Sequence, residues 1–66
     1  MMNDLFKMKR TLEESGFVEG EGFTVEENNT GFLLVIYKKV VVGYHMEDDV
    51  CFNFEYDKFG NLIEVW

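Results

Sequence analysis

The chain contains a single cysteine, Cys51, so no disulfide bond can form within a monomer. This constraint is strong because the chain has only 66 residues, and a domain of that size buries only about 60% of its unfolded surface. No cysteine–histidine cluster with zinc spacing is present. Stability must therefore come from an unusually apolar core or from self-association. The composition supports a core, since 47% of the residues are apolar and 17% are aromatic.

Residues 3–15 have the pattern of a short amphipathic helix. Leu5, Phe6, Met8 and Leu12 recur at helical spacing behind an asparagine and an aspartate, either of which can cap the first turn. Gly16 follows the last turn, where glycine adopts the left-handed conformation without penalty. An isolated helix of this length is marginal in water. We therefore expect it to pack on the rest of the domain.

The remainder of the chain has the composition of an antiparallel sheet. Segments rich in β-branched and aromatic residues alternate with polar turn residues. The segments span residues 23–27, 32–37, 40–45, 50–56 and 62–66, and the predicted turns span residues 28–31, 47–49 and 57–61. The pattern predicts a single acidic α+β domain over residues 1–66, with one N-terminal helix packed on a four- to five-stranded antiparallel β-meander.

Lys38 and Lys39 interrupt the apolar pattern without a typical turn residue. A straight strand over residues 32–45 would reach about 46 Å at roughly 3.3 Å per residue. A compact domain of this size has a radius of gyration of only about 11 Å. The chain is therefore expected to fold back or bend, either at these lysines or at Gly43.

Matching the apolar faces of neighbouring strands predicts their register. A three-residue loop at residues 47–49 sets Val42 opposite Phe54, and a turn with a G1 bulge at residues 28–31 sets Val25 beside Val35. The face that the helix covers then holds Phe23, Val25, Leu33, Val35, Tyr37, Val40, Val42, Tyr44, Val50, Phe52, Phe54 and Tyr56.

The opposite face of this predicted sheet also carries an apolar stripe, formed by Phe32, Leu34, Ile36 and Val41. One helix cannot cover both faces, and an uncovered apolar stripe indicates an association surface. We therefore expect these four residues to mediate self-association, as a homodimer. A sheet that coils over its own second face, or a different register of the second strand, is the alternative.

The net charge is −7, and the acids lie mostly after residue 12. This charge argues against direct binding to nucleic acid or to anionic lipid, and it favours a protein partner with a basic surface. Carboxylates two residues apart on a strand are separated by roughly 6.6 Å, so such a surface can imitate a nucleic-acid backbone. The candidate partner-binding residues are Glu19, Glu21, Glu26, Glu47, Asp48 and Asp49.

Catalytic, metal and cofactor sites are not predicted. His45 and Cys51 lie opposite each other in the predicted register, but no orienting group or oxyanion site accompanies them. The acids of residues 47–49 lack the spacing of a calcium loop. The glycine-rich residues 16–22 contain no lysine and precede no helix, unlike a phosphate-binding loop.

Residues 54–63 resemble the strand-turn-strand unit of YD-repeat proteins, but the segment occurs once, so it predicts a hairpin and no repeat array. In size and charge the chain is similar to small acidic phage-encoded inhibitors, such as anti-CRISPR proteins, with which it shares no motif. The predicted function is a non-enzymatic protein-interaction domain, of the phage- or mobile-element type that occupies a basic nucleic-acid-binding surface of a host enzyme.

Two other functions stay open at this level. A homo-oligomer could bind a nucleotide-like small molecule, for which Lys38, Lys39 and Lys58 are the candidate basic residues of the sheet, or the chain could be a structural subunit. The lone cysteine and the lack of a secretory signal predict a cytoplasmic location. The longest apolar run, residues 32–37, is too short to span a membrane.

Overall fold

A computed structural model describes residues 3–66 as one helix packed on a four-stranded antiparallel sheet. The elements are α1 Asp4–Glu14, β1 Phe23–Asn28, β2 Gly31–Val42, β3 His45–Asp57 and β4 Leu62–Val65. Strands that are consecutive in sequence are neighbours in the sheet, in the order β1-β2-β3-β4. The α+β meander expected from the sequence is confirmed.

Helix α1 begins where the sequence indicates because Asn3 caps it. The Asn3 side-chain oxygen accepts a hydrogen bond of 2.9 Å from the Phe6 backbone N–H. The Asn3 side-chain amide donates to the Phe59 carbonyl, also at 2.9 Å. The same side chain therefore starts the helix and ties it to the turn between β3 and β4.

Two further hydrogen bonds fix the first turn of α1 to the C-terminal hairpin. The Leu5 N–H donates to the Gly60 carbonyl at 2.9 Å. The Asp4 carboxylate accepts from the Leu62 N–H at 2.9 Å. Helix N-terminal N–H groups have no partner within the helix, so the first bond satisfies one of them, and the two bonds together hold the start of α1 against the hairpin.

The core lies between α1 and the face of the sheet that α1 covers. Its most buried residues are Leu5, Leu12, Phe23, Leu34 and Tyr56, with Met8, Val25, Phe32, Ile36 and Phe54 packed against them. Phe23 and Leu34 have 0% exposed surface. Burial, and to a smaller extent the nearby Asp4 carboxylate, raises the pKa of the Tyr56 phenol.

The predicted face assignment of β2 is wrong. Val25 pairs with Leu34, not Val35, because Asn28 pairs with Gly31 across a two-residue loop. The Asn28 side-chain oxygen stabilises this loop by accepting from the Thr30 and Gly31 N–H groups, both at 2.9 Å. A slip of one residue moves every side chain of a strand to the other face.

Three of the four predicted self-association residues consequently lie under the helix. Leu34 is in the core, and Phe32 and Ile36 pack against it. Only Val41 is well exposed, at 71%. The open face of the sheet, which we define as the face opposite α1, instead carries Leu33, Val35, Tyr37 and Val41.

Beyond the helix, β2 and β3 continue as a two-stranded arm. The predicted turn at residues 47–49 is wrong, and of the two positions expected for the reversal of residues 32–45 the chain uses Gly43 and not the lysines. Lys38 pairs with Asp49 and Lys39 with Asp48 within continuous strands. Opposite charges directly across a strand pair stabilise the sheet. The chain reverses at Gly43, where φ is +63°. The arm makes the molecule 44 Å long, with a radius of gyration of 12.9 Å.

The Asp57 carboxylate organises the turn between β3 and β4. One oxygen accepts from the backbone N–H groups of Asn61 and Phe59, each at 2.9 Å, and the other accepts from the Asn61 side-chain amide at 3.1 Å. These donors, the Asn61 N–H foremost, hold the pKa of Asp57 below its usual range.

This lowered pKa predicts a loss of stability in acid. A carboxylate with a lowered folded pKa stabilises the fold above its ordinary pKa of about 3.9, and that stabilisation is lost as the pH falls through the folded value. Asp57→Asn removes the titration and keeps the shape. We expect the difference in unfolding free energy between the two proteins to shrink below about pH 4, as urea titrations at pH 7, 4 and 2.5 would show. A difference independent of pH would contradict the assignment.

Candidate protein-interaction surface

A row of carboxylates crosses the open face of the sheet. Glu26 pairs with Leu33, Leu33 with Glu55, and Glu55 with Glu64. Directly paired residues on neighbouring strands point to the same side of a sheet. Since Leu34 points to the helix, its neighbour Leu33 and the three glutamates point away from it. We call Glu26, Glu55 and Glu64 the acidic row.

Trp66 lies next to the acidic row. Its backbone N–H donates to the Asn53 carbonyl at 2.9 Å, and its carbonyl accepts from the Asn53 N–H at 2.8 Å. Its indole N–H donates to a Glu55 carboxylate oxygen at 3.2 Å. The indole is thereby oriented along the open face, although Trp66 remains 59% exposed.

The charge of the acidic row is not balanced by neighbouring side chains. Glu26, Glu55 and Glu64 form no ion pair with any residue between 3 and 66, and the strand pairings place no lysine or arginine in the row. Glu55 and Glu64 are directly opposed, and two like charges in that arrangement destabilise a strand pair. A cationic group bound between them would remove that cost.

The spacing of the row suits cationic side chains better than a metal ion. Neighbouring strands lie about 4.8 Å apart, so Glu26 stands roughly 10 Å from Glu55 across the intervening strand. Among residues 3–66, no three His, Cys, Asp or Glu side chains are grouped so as to hold a metal ion. Separate lysine or arginine side chains can each meet one part of the row.

The six predicted acidic residues do not form one surface. Glu26 belongs to the acidic row. Glu19 and Glu21 lie in the loop before β1, where Glu19 forms an ion pair with Lys9 at 3.0 Å. The remaining three are Glu47, Asp48 and Asp49, which lie within β3 and alternate between the two faces of the arm instead of crowning its tip.

Two of the three acids in the arm already have partners. Asp48 forms an ion pair with Lys39 at 2.6 Å, and Glu47 contacts the His45 ring at 2.7 Å. The acidic row is therefore the less compensated of the two surfaces. Sequence reasoning did not single out Glu55 and Glu64 as binding residues. The predicted turn at residues 57–61 nevertheless indicated that these two residues flank one hairpin.

An open cleft of about 400 Å³ lies where the loop before β1 meets the base of the arm. Its charged lining residues are Glu21, Lys38, Lys39 and Asp48, whose formal charges cancel. The glycine N–H groups of the loop donate to backbone carbonyls and are not free for a phosphate. Lys58, the third candidate basic residue, does not line the cleft. These features do not favour a nucleotide-like ligand.

The predicted proximity of His45 and Cys51 is wrong. His45 pairs with Val42 near the end of the arm, while Cys51 lies at a bulge further along the same strand. Six residues of strand separate them by about 20 Å. An imidazole at that distance cannot serve as base for this thiol.

No protein-family model, curated protein or solved structure matches the chain. No helix within residues 3–66 is both long and apolar enough to cross a membrane. Function must therefore be inferred from the chemistry of the open face and the arm.

Proposed function

We propose that this domain is a non-enzymatic protein-interaction module that binds a basic surface of a partner protein through the open face of its sheet. The acidic row carries the proposal, because it sets three carboxylates without an ion pair among residues 3–66 beside an exposed tryptophan. We place the interaction in the cytoplasm, where the exposed thiol of Cys51 stays reduced.

The chemistry of this face matches lysine and arginine side chains. Carboxylates accept charge-assisted hydrogen bonds from both, and an arginine can bridge two carboxylate oxygens. The Trp66 ring offers a face for a cation–π contact, and tryptophan is among the residues that dominate interface energies. Half-buried Leu33 supplies apolar surface between these polar groups, whereas Val35, on the same face, is buried.

A basic protein suits the face better than a second copy of the chain. Stacking two open faces would bring two acidic rows together without an intervening cation, and like charges in a desolvated interface cost several kcal/mol. A groove that binds nucleic acid is one basic surface of the required kind. Occupying it would inhibit the partner.

Removing the charge of the acidic row is expected to weaken partner binding by at least about tenfold, since three charged contacts at roughly 0.5 kcal/mol or more each are lost. The test variant is Glu26→Gln, Glu55→Gln and Glu64→Gln together. The control is Glu13→Gln, Glu14→Gln and Glu27→Gln, which makes the same change in net charge outside the row.

The measurement has two steps. Tagged wild-type, test and control proteins capture partners from an extract of the source organism, quantified by mass spectrometry. Purified partners are then titrated at 50 and 200 mM salt, two ionic strengths that differ in their screening of exposed charges. Capture that is equal for the test and control proteins, or no capture by the wild type, would sink the proposal.

A further inference from the structure

The outer edge of β3 lacks a neighbouring strand along most of the arm. Strand β4 pairs with β3 only from Phe54 to Tyr56, and Asn53 adds the hydrogen bonds to Trp66. Within residues 3–66, no strand lies beside residues 45–52 on the side away from β2. Such an edge presents unpaired backbone N–H and C=O groups that can pair with another chain.

The side chains of the same segment are also uncovered. Met46, Val50 and Phe52 are 57%, 50% and 51% exposed. A two-stranded ribbon without further cover is only marginally stable in water. An added strand would pair the backbone and cover apolar side chains at once, which is how sheet edges bind extended peptides.

The charges of residues 45–52 indicate which kind of strand can bind at this edge. Glu47, Asp48 and Asp49 lie on β3 itself, whereas Lys38 and Lys39 lie on β2. An added strand would stand about 5 Å from the acids and about 10 Å from the lysines. The added strand would therefore face a negatively charged edge, although the two lysines partly neutralise the charge of the arm as a whole.

A second copy of the chain does not fit this edge. Two β3 edges paired antiparallel around Asp48 would set Glu47 against Asp49 twice, and directly opposed like charges are destabilising. Pairing the β3 edge of one copy with the β2 edge of another is head-to-tail, so it cannot close as a dimer and requires a ring of several copies or an open-ended filament. A different chain with positive charge avoids both problems.

We propose that the outer edge of β3, residues 45–52, binds an extended lysine- or arginine-containing segment of another protein as an added strand. Cationic residues of that segment stand opposite Glu47 and Asp49, and apolar residues stand opposite Met46 and Val50. The site is separate from the acidic row, so the two proposals can fail independently.

The test uses a blocked peptide of alternating valine and lysine, titrated into ¹⁵N-labelled full-length protein. We expect shifts and slowed amide exchange confined to residues 45–52. Two further peptides should bind at least tenfold more weakly: one with glutamate in place of lysine, and one N-methylated at two consecutive central residues, which interrupts the backbone ladder on both edges.

Two protein variants separate this edge from the acidic row. Glu47→Gln with Asp48→Asn and Asp49→Asn should weaken binding of the basic peptide at least tenfold, whereas the acidic-row variant should bind it like the wild type. Equal binding of the N-methylated peptide would show attraction by charge alone and overturn the proposal. So would shifts centred on the acidic row, or no binding of the basic peptide to the wild-type protein.

Discussion

Replacing Leu34 with alanine is expected to lower the free energy of unfolding by about 2–5 kcal/mol, the range for a buried leucine whose removal leaves a cavity. Leu34 has no exposed surface and packs against α1, Phe23 and Tyr56. Its neighbour Leu33 is a matched control, because it is the same residue type on the open face. Leu33→Ala should cost about 1 kcal/mol or less.

Urea unfolding followed by circular dichroism would measure both losses. A second pair of variants sharpens the contrast, since Leu33→Glu should still fold whereas Leu34→Glu places an unpaired charge in the core. Equal losses for the two alanine variants would mean that the helix does not cover the face assigned to it.

The sequence could predict the elements but not the face that α1 covers. Asn3, the helical spacing and the β-branched segments determine the helix and the strands locally. Residues 32–37 are apolar without interruption, so either face of β2 satisfies a hydrophobic pattern. The difference arises at Asn28, whose side chain closes a two-residue loop where a turn with a G1 bulge was expected.

The arm formed by β2 and β3 was not predicted, for a different reason. The expectation of a compact shape required a fold-back or bend at the lysines or at Gly43, and the acids of residues 47–49 matched turn composition. Paired across β2 and β3, the same residues are favourable strand neighbours, as the Lys39–Asp48 ion pair shows. Charge pattern alone does not distinguish a polar turn from a strand whose charged residues pair with opposite charges on the neighbouring strand.

The acidic row could be predicted only in part. Glu26 followed from the acidity of the chain, but its grouping with Glu55 and Glu64 depends on the pairing of all four strands. The pairing of β3 with β4 includes a register shift between Glu55 and Tyr56. Such an irregularity changes which residues oppose each other. The composition therefore predicts how many acidic residues the chain has, but only the register shows which of them lie together on one surface.

Gly31→Ala is expected to lower the free energy of unfolding by about 3 kcal/mol, from steric overlap and backbone strain together. Gly31 has φ +150°, and a Cβ added there would collide with the Tyr56 carbonyl oxygen. The nearest atoms are all backbone atoms of Tyr56 and Asp57, so no flexible side chain can move aside. Gly43→Ala is the control, because φ is +63° and nothing lies within 4 Å of the added atom; its cost should be about 1–2 kcal/mol.

The consequence of the Gly31 substitution extends to the register of the sheet. Gly31 pairs with Asn28 on one side and with Asp57 on the other, so it sets β2 against both neighbours at the same point. Amide exchange would show whether the remaining folded population keeps Leu34 under α1. Losses of equal size at Gly31 and Gly43 would contradict a steric role for Gly31. A larger loss at Gly31 together with altered protection around Leu34 would indicate that close backbone approach, as well as apolar pattern, selects which face of the sheet the helix covers.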